Sequence, residues 1–391
     1  MRGEQGRGGR GECGRGRGRG GGGGGGSSSS SSSSTSTSSS TSSTSTSSTS
    51  STSSSSTSGR LSGANKALFF YNDVYEVHLP EGHRFPMEKY RLVRQLLQRR
   101  HAADPVSWEI SPLASLDELA TTHDPEYARR YMDNEFTARE NRVVGFPWST
   151  KSVDRSLSSV GGTLAAARVA CGWVADGSGA VLTGHIAGGT HHAFAAHGEG
   201  FCVFSDIAVA ANGCLREYDW LERVLIVDLD VHQGNGNAVL FQDDPRVFTY
   251  SQQCRENLFS AEQISDLDVY LAEGTGDEEY LAAMAEHIPR VIADVNPQLI
   301  FFQGGVDPHE DDRLGRLKLT HEGLRKRNEM LYQLVADHAL TLESGRCGLV
   351  VTLGGGYPRN LSEESDSFRA IVDAHAEVYS GAVRVMIDQD N

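Results

Sequence analysis

Two carboxylates and an imidazole alternate directly after an apolar run near the middle of the chain. The run spans residues 224–227, and Asp228, Asp230 and His232 follow it at every second position. Because side chains of an extended backbone repeat with period two, we expect these three to leave one side of it. Carboxylate oxygen and imidazole nitrogen together suit a borderline metal ion such as zinc. Charges at the end of a buried strand are costly unless they are paired or metal-bound, so a mere turn-capping role for the aspartates is the weaker interpretation.

Polar side chains also follow three other apolar runs of the sequence. His191 and His192 come after one run and a glycine pair, Asp307 comes after Gly-Gly-Val, and Tyr357 comes after three glycines. Ligands of open α/β sheets bind at the carboxyl ends of the strands. We therefore expect all four groups to meet at one edge of a parallel sheet. His123 stands alone at a helix entry, where a histidine more often has a structural role.

These residue types combine into a hydrolytic site. One histidine and two carboxylates, here His232 with Asp230 and Asp307, make a three-ligand metal site with an open position for water and a substrate carbonyl. A nearby imidazole can take the proton from that water. The glycines before Tyr357 let the backbone come close, and its phenol can donate a hydrogen bond to a developing oxyanion. The sequence therefore predicts a metal-assisted amide hydrolase.

The elements that must position these groups alternate between strands and helices. Such alternation predicts an α/β fold with a parallel sheet covered by helices on both faces. We expect strands at residues 67–71, 180–186, 224–228, 246–251, 298–303, 348–353 and 383–387. We expect helices at residues 87–100, 153–174, 206–217 and 277–292, and one that begins at 320. Residues 275–278 have the form of a capping box, and residues 252–265 are expected to form a loop.

The bulk composition limits the classes of function. The chain has 391 residues, enough for one large α/β domain, which we assign to residues 61–391. Its net charge of −15 argues against direct nucleic-acid binding and is compatible with a basic, lysine-rich substrate. The six cysteines form no CxxC pair, which indicates free thiols in a reducing compartment. No apolar run reaches membrane-spanning length, so we expect a soluble, intracellular protein without a membrane partner.

Residues 1–60 have a composition that cannot build a core. Gly and Arg dominate residues 1–26, and an unbroken Ser/Thr tract fills residues 27–58. We therefore predict a disordered tail. Three roles stay open: an organelle transit peptide, an Arg/Gly arm that contacts RNA, and an expanded low-complexity segment, which we favour slightly. The nucleus or the cytoplasm is the expected compartment, with organelle import through residues 1–60 as the alternative.

Five motifs together resemble those of the zinc-dependent histone deacetylases and occur in the order of that family. They are Gly-Gly-Thr-His-His, Gly-Glu-Gly-Phe-Cys, Asp-Leu-Asp-Val-His-Gln-Gly-Asn-Gly, Gly-Gly-Val-Asp-Pro and Leu-Gly-Gly-Gly-Tyr. The resemblance covers about residues 68–387. The Gln-Gly-Asn-Gly variant at 233–236, with Gly-Phe-Pro-Trp at 145–148, looks most like the class IV branch and its bacterial relatives. The resemblance implies the three-layer arginase/deacetylase fold and the removal of acyl groups from lysine side chains of histones or other proteins.

The resemblance also implies roles for individual residues. One zinc ion would be bound by the three ligands named above. His192 would be the general base, and His191 would be its partner, tuned electrostatically by Asp228. Tyr357 would polarise the acyl carbonyl. A structural monovalent cation such as K⁺ would lie at Asp228, with backbone oxygens of Ser251 and of the two metal ligands that follow Asp228.

Aromatic side chains are expected to line an acyl-lysine tunnel. The resemblance implies substrate contacts for Gly200 and Phe201, with Phe201 as one wall and Phe259 as the opposite wall. The loop that carries Phe259 departs from the family, because the two glutamines 252–253 follow the strand where relatives soon carry a histidine. Class I relatives back the second histidine with an aspartate, whereas this chain has Asn235.

Other functions use related machinery. Arginases share the fold but hold two manganese ions with additional carboxylates, whereas this chain has Gly234 and Gly305 where those should stand. A non-catalytic acetyl-lysine reader should lack a metal ligand or the tyrosine, and none is missing. An acetylpolyamine hydrolase or a long-chain acyl-lysine hydrolase stays open, because the acyl pocket depends on loop geometry. The oligomeric state also stays open.

Overall fold

The computed structural model describes residues 67–177 and 181–387, so the disorder predicted for residues 1–60 lies outside the described part. An eight-stranded sheet runs through these ranges, and all of its neighbouring strands are parallel. Its strands are β1 (Ala67–Tyr71), β2 (Val106–Ile110), β3 (Val181–His185), β4 (Val224–Asp228), β5 (Val247–Cys254), β6 (Leu267–Leu271), β7 (Leu299–Gln303) and β8 (Gly348–Thr352). Their order across the sheet is β2-β1-β3-β8-β7-β4-β5-β6.

Helices connect and cover the strands of the described ranges. They are α1 (Lys89–Arg100), α2 (Leu116–Leu119), α3 (Pro125–Met132), α4 (Ala138–Val144), α5 (Thr150–Asp176), α6 (Asp206–Glu217), α7 (Asn235–Phe241), α8 (Asp277–Val295), α9 (His321–Ala339) and α10 (Asp366–Met386). A short 3₁₀ helix spans Arg255–Asn257. Within the described ranges, no helix combines the length and apolar composition needed to cross a membrane.

The two faces of the sheet belong to two hydrophobic cores. Leu225 and Val227 pack into the core that includes side chains of α1, α8, α9 and α10. Val224 and Ile226, from the same strand, pack into the core that includes α5 and α6. A strand that is apolar at every position and buried on both sides is typical of a covered parallel sheet. The predicted three-layer α/β fold is therefore confirmed.

Helix α5 shows how small residues bring a helix close to the sheet edge that carries the site. Ser149 caps this helix through two hydrogen bonds: Ser149 Oγ accepts one from Ser152 N, and Ser152 Oγ accepts one from Ser149 N. A Cβ at Gly162 would lie 2.5 Å from Nε2 of His185, at the end of β3. Only glycine permits this approach between α5 and the strand that leads to the histidine pair.

The strand predicted at residues 383–387 is wrong, because these residues belong to the end of α10. Phe368, Tyr379 and Val383 lie on one buried side of this helix and continue its apolar stripe into the core. A short apolar run cannot be assigned to strand or helix by itself, and the longer helical repeat decides here.

Two other local predictions fail for reasons of tertiary packing. Residues 252–254 continue β5 rather than forming a loop, and Gln252 and Gln253 are fully buried in that strand. The capping box at 275–278 does not form: the N-cap of α8 is Gly276, and the Asp277 carboxylate instead accepts hydrogen bonds from N and Oγ1 of Thr320 at 2.8 and 2.6 Å.

Strands β2 and β6 were not predicted from the sequence. Both form outer edges of the sheet and are only partly buried. Their sequences, VSWEI and LDVYL, mix polar and apolar residues, so they lack the continuous apolar signal of the central strands.

Candidate active site

Four neighbouring strands in the centre of the sheet carry the loops of the candidate site. β3, β8, β7 and β4 lie side by side and parallel, so their carboxyl ends share one edge. The loops after these strands carry the histidine pair 191–192, Tyr357, Asp307, and Asp230 with His232. The structure thus brings together side chains that are more than 100 residues apart in the sequence.

The side chains of Asp230, His232 and Asp307 converge on one point. His232 Nδ1 lies 3.1 Å from Asp230 Oδ1 and 3.2 Å from Asp307 Oδ2. All three ligand atoms lie within 4.8 Å of one another, and both aspartates are buried. Throughout 67–177 and 181–387, this is the one group of three His, Cys, Asp or Glu side chains that converges so closely.

The remaining oxygens of the two aspartates are held by the backbone. Asp230 Oδ2 accepts a hydrogen bond from Gly355 N at 2.8 Å, and Asp307 Oδ1 accepts one from Val231 N at 2.9 Å. Burial alone lowers the pKa of His232, but hydrogen bonds to the two aspartates outweigh it and raise that pKa to about 10. The site therefore favours a positive charge between the carboxylates. One nitrogen and two oxygens around such a point fit the ligand preferences of zinc.

Two glycines make room for this arrangement. A Cβ at Gly355 would lie 2.1 Å from Asp307 Oδ2, and a Cβ at Gly305 would lie 2.3 Å from Asp230 Oδ2. Real Cβ atoms do not approach oxygen so closely, so each glycine permits a backbone contact with a carboxylate. The second carboxylate that a two-metal arginase site needs before Asp307 has no space at position 305.

The adjacent histidines have different partners. His191 Nδ1 lies 2.6 Å from Asp228 Oδ2, whereas His192 Nδ1 lies 2.7 Å from Asn235 Oδ1. The Asn235 amide is oriented from two sides, because its Nδ2 donates to Glu199 Oε1 at 2.7 Å and its Oδ1 accepts from the backbone N of residue 236 at 3.0 Å. A carboxylate thus backs the first histidine and a neutral amide backs the second.

This difference gives the two imidazoles opposite charge preferences. Burial lowers the pKa of His191, but Asp228 and Asp230 outweigh it and raise that pKa to about 9. Burial lowers the pKa of His192 well below its usual value, and the neighbouring His191 and His232 lower it further. Near neutral pH, His191 is therefore protonated and His192 is neutral.

The loop of Tyr357 is held by Asp312, from the loop after β7, and by Lys89 of α1. The backbone N of Tyr357 donates to Asp312 Oδ2 at 2.5 Å. Lys89 Nζ donates to the carbonyl oxygens of Gly354 and Gly356 at 3.2 Å each and lies 5.3 Å from the centre of the Tyr357 ring. Burial, followed by the charges of the converging aspartates, raises the pKa of the phenol well above its usual value. The hydroxyl group therefore keeps its proton and is available as a donor.

The predicted tunnel residues line a common cavity. Phe201, Phe259 and Gly200 line a cavity of about 610 Å³ together with His192, His232 and Tyr357. The Phe259 ring stands edge-on to His192, with 4.8 Å between ring centres, although half of Phe259 is exposed. Phe201 has a φ of 69° and packs on the Tyr357 side, 6.0 Å from that ring. Positive φ is rare for phenylalanine, so the loop constrains this ring to its place.

Three buried charged residues that position the site were not identified as such from the sequence. Lys89 holds the loop of Tyr357, as described above. Asp206 accepts hydrogen bonds from the backbone N of Gly189 and Thr190 at 2.9 and 2.7 Å and so shapes the loop before the histidine pair. Arg327 donates to carbonyl oxygens of residues 229 and 305, one and two positions before Asp230 and Asp307. The available signal was a charged residue on the buried face of each helix.

His123 and Asp228 form hydrogen bonds that hold neighbouring parts of the fold in place. His123 is buried, with Nδ1 3.0 Å from the carbonyl oxygen of Phe194 and Nε2 accepting from Ser205 N at 2.9 Å, as expected for a histidine inside the core. Both carboxylate oxygens of Asp228 have a partner: Oδ2 contacts His191, and Oδ1 accepts a hydrogen bond from Asp230 N at 3.1 Å. The monovalent cation at Asp228 stays a prediction.

Comparisons with known proteins identify related sequences and a similar fold. A family model described as the histone deacetylase domain matches residues 83–372. An uncharacterized protein of Picosynechococcus sp. is 39% identical over 75% of this chain and 93% of its own length. Acetoin utilization protein AcuC of Bacillus subtilis is 28% identical over 80% of this chain and 81% of its own. The crystal structure of the HDA15 HD domain has a similar fold, with a TM-score of 0.64 and 20% identity over 83% of this chain and 89% of that one.

Proposed function

We propose that this chain, which belongs to the histone deacetylase family, uses one zinc ion to remove acetyl or other acyl groups from lysine side chains of histones or other proteins. Family membership supports a deacetylase hydrolase. The cofactor, the substrate and the residue roles are the parts proposed here.

One observation carries the proposal. A neutral imidazole, a protonated phenol and His232 of the convergent Asp-His-Asp set line one cavity, which exposed side chains also line. A metal-assisted amide hydrolase uses these three kinds of group: a Lewis acid, a base for water, and a donor for the oxyanion. A zinc ion held by Asp230, His232 and Asp307 supplies Lewis acidity, which polarises a carbonyl and makes water more acidic.

His192 is proposed as the general base, acting through Nε2. Its Nδ1 faces Asn235 Oδ1, which accepts hydrogen bonds because the other end of that amide donates to Glu199. Nδ1 therefore carries the ring proton and Nε2 has the free electron pair. His192 takes a proton from the attacking water at Nε2 and gives it to the departing lysine amine.

His191 and Tyr357 are proposed to stabilise charge. The protonated His191, paired with Asp228 at 2.6 Å, adds a fixed positive charge beside the reacting groups. The phenol of Tyr357 donates a hydrogen bond to the carbonyl oxygen as negative charge develops on it. Phe201 and Phe259 are proposed to enclose the methylene groups of the lysine, which excludes water from the amide.

The proposal extends to the branch of the family, the compartment and the contact with nucleic acid. The Gln-Gly-Asn-Gly sequence at 233–236 supports membership of the class IV branch. Protein-bound acyl-lysine as the partner suggests action in the nucleus or the cytoplasm. We propose no direct contact of the catalytic domain with nucleic acid, in line with the net charge of −15.

Metal analysis and a substrate panel test the proposal together. Purified protein should contain one zinc per chain, and Asp307→Ala should lose both zinc and activity. Acetate release from an acetyl-lysine peptide is expected, and an acetylpolyamine and a myristoyl-lysine peptide are assayed beside it. Two tightly bound metals per chain, or turnover of the polyamine alone, would contradict the respective part of the proposal.

A further inference from the structure

The mouth of the active-site cavity is unusually rich in arginine. Arg84, Arg142 and Arg316 line the same cavity as His192 and Tyr357, and all three arginines are exposed. The whole chain has a net charge of −15, so three arginines around one cavity contrast with the overall composition. We call these three side chains the arginine rim.

Two members of the arginine rim lack a charged partner. Among the described residues, neither Arg84 nor Arg142 has an ion pair or a side-chain hydrogen bond, whereas Arg316 pairs with Glu273 at 3.1 Å. Two glutamates line the same cavity, and both accept hydrogen bonds elsewhere: Glu199 from Asn235 and Ser260, and Glu256 from the backbone N of residue 273. The two unpaired guanidinium groups are therefore free to bind an anion.

The backbone fixes both arginines beside the tunnel wall. Arg142 lies in the last turn of α4, where the carbonyl oxygens of the next two residues accept hydrogen bonds from the backbone N of Gly200 and Phe201 at 3.2 and 2.7 Å. The carbonyl oxygen of Arg84 accepts from Arg313, and the preceding His83 lies 2.9 Å from the carbonyl oxygen of residue 145. A substrate that places its lysine against Phe201 therefore occupies the cavity that these two side chains also line.

We propose that the arginine rim selects acylated lysines that lie in acidic segments, with an aspartate or glutamate within a few residues of the lysine. The inference rests on the proposed function and names its substrate class. Arginine presents a planar group that binds a carboxylate through two hydrogen bonds. A lysine-rich tail or an acetylpolyamine instead brings positive charge towards the rim, which like-charge repulsion disfavours.

Three acetyl-lysine peptides that differ only in the flanking residues test this inference. The flanks carry aspartate, asparagine or lysine, and both binding, by fluorescence anisotropy, and kcat/KM are measured at low salt. We expect the aspartate peptide to exceed the asparagine peptide by about 1.5-fold to fivefold in both quantities, the usual range for an exposed ion pair, and the lysine peptide to be weakest. The difference should shrink as salt is raised.

Charge reversal at the rim provides the decisive comparison. Arg142→Glu and, separately, Arg84→Glu should reduce or invert the preference for the aspartate peptide. Arg290→Glu is the matched control, because Arg290 is an exposed arginine on α8 near the opposite edge of the sheet and should keep the wild-type order. Melting temperatures check that each variant folds.

The outcomes separate the inference from the proposed function. Equal binding of the three peptides by wild-type protein, or a preference that survives both rim variants, would overturn the inference. Ordered binding of all three peptides without hydrolysis would support the arginine rim and contradict the hydrolase.

Discussion

Moving one carboxylate next to His192 should raise the acidic limb of the pH dependence of kcat/KM. Asn235 Oδ1 lies 2.7 Å from His192 Nδ1, and Asn235 Nδ2 lies 2.7 Å from Glu199 Oε1. The double substitution Asn235→Asp with Glu199→Gln preserves both hydrogen bonds, because the new glutamine can donate to the new aspartate. The net charge also stays the same, and the negative charge moves one hydrogen bond closer to the base.

The size of the effect follows from the two distances. A carboxylate at 235 would lie about 4 Å from the His192 ring, and one at 199 lies about 8 Å from it. At an effective dielectric constant of about 20, the attraction between the carboxylate and the protonated ring is roughly 4 kcal/mol at the shorter distance and roughly 2 kcal/mol at the longer one. The difference of roughly 2 kcal/mol corresponds to about 1 to 2 pH units. A nearer negative charge stabilises the protonated imidazole, so its pKa rises. As the pH is lowered, the imidazole then becomes protonated, and stops acting as a base, at a higher pH than in the wild type. Glu199→Gln alone removes the charge and should move the limb to lower pH.

The assay compares kcat/KM on one acetyl-lysine peptide across pH for the wild type, the single variant and the double variant. The expected order of the limb, from low to high pH, is Glu199→Gln, wild type, double variant. The limb is a macroscopic value to which several groups contribute, but a nearer negative charge moves each contribution upwards. If the double variant keeps its zinc and its stability while its limb stays in place, residue 235 does not act on the base and the assignment of His192 fails.

Three further predictions concern other parts of the site and core. Tyr357→Phe should lower kcat by about 100-fold to 1000-fold with zinc content unchanged, because one oxyanion donor is lost; a kcat near wild type would remove the phenol from the mechanism. Gly355→Ala should cost the metal in elemental analysis, because the new Cβ would meet Asp307 Oδ2 at 2.1 Å, whereas Gly172→Ala in α5, with nothing within 4 Å of the new Cβ, should bind metal normally. Burial lowers the pKa of His123 to about 4. The free energy of unfolding therefore contains the full contribution of the neutral, buried His123 above about pH 6.5. As the pH drops from 6.5 towards 4, the free energy of unfolding falls by about 3 kcal/mol, because the unfolded chain binds the proton first. Urea unfolding at several pH values should show that the free energy of unfolding decreases less steeply with falling pH in His123→Gln than in the wild type. An equally steep decrease in both proteins would contradict this prediction.

The convergent Asp-His-Asp set could be predicted because its signal is local. Asp230 and His232 follow a buried apolar run at a spacing of two, and charges in that position need a partner whatever the rest of the chain does. The parallel sheet followed from the alternation of elements, and parallel strands meet at one edge, which brings Asp307 and Tyr357 to the same place.

The supporting residues could not be predicted, because their partners are distant backbone groups. Lys89 binds carbonyl oxygens 265 and 267 residues away, and Arg327 binds one 98 residues away. No residue type marks a carbonyl oxygen in the sequence, so a charged residue on the apolar face of a helix indicates burial but not the group that it binds. The strand wrongly expected at 383–387 has the same origin, since only the packing of α10 shows that the run is helical.

The order of the strands has a consequence for the synthesis of the chain. β8, the last strand of the described sheet, lies between β3 and β7, so the backbone hydrogen bonds of the sheet join β2-β1-β3 to β7-β4-β5-β6 only through it. Until residues 348–352 leave the ribosome, the nascent protein can hold two partial sheets, each with an unpaired apolar edge. Such edges are sites of aggregation, so the nascent chain should depend on chaperones until late in translation. A polypeptide that stops before residue 348 should accumulate as insoluble material, whereas one that includes β8 and α10 closes the sheet.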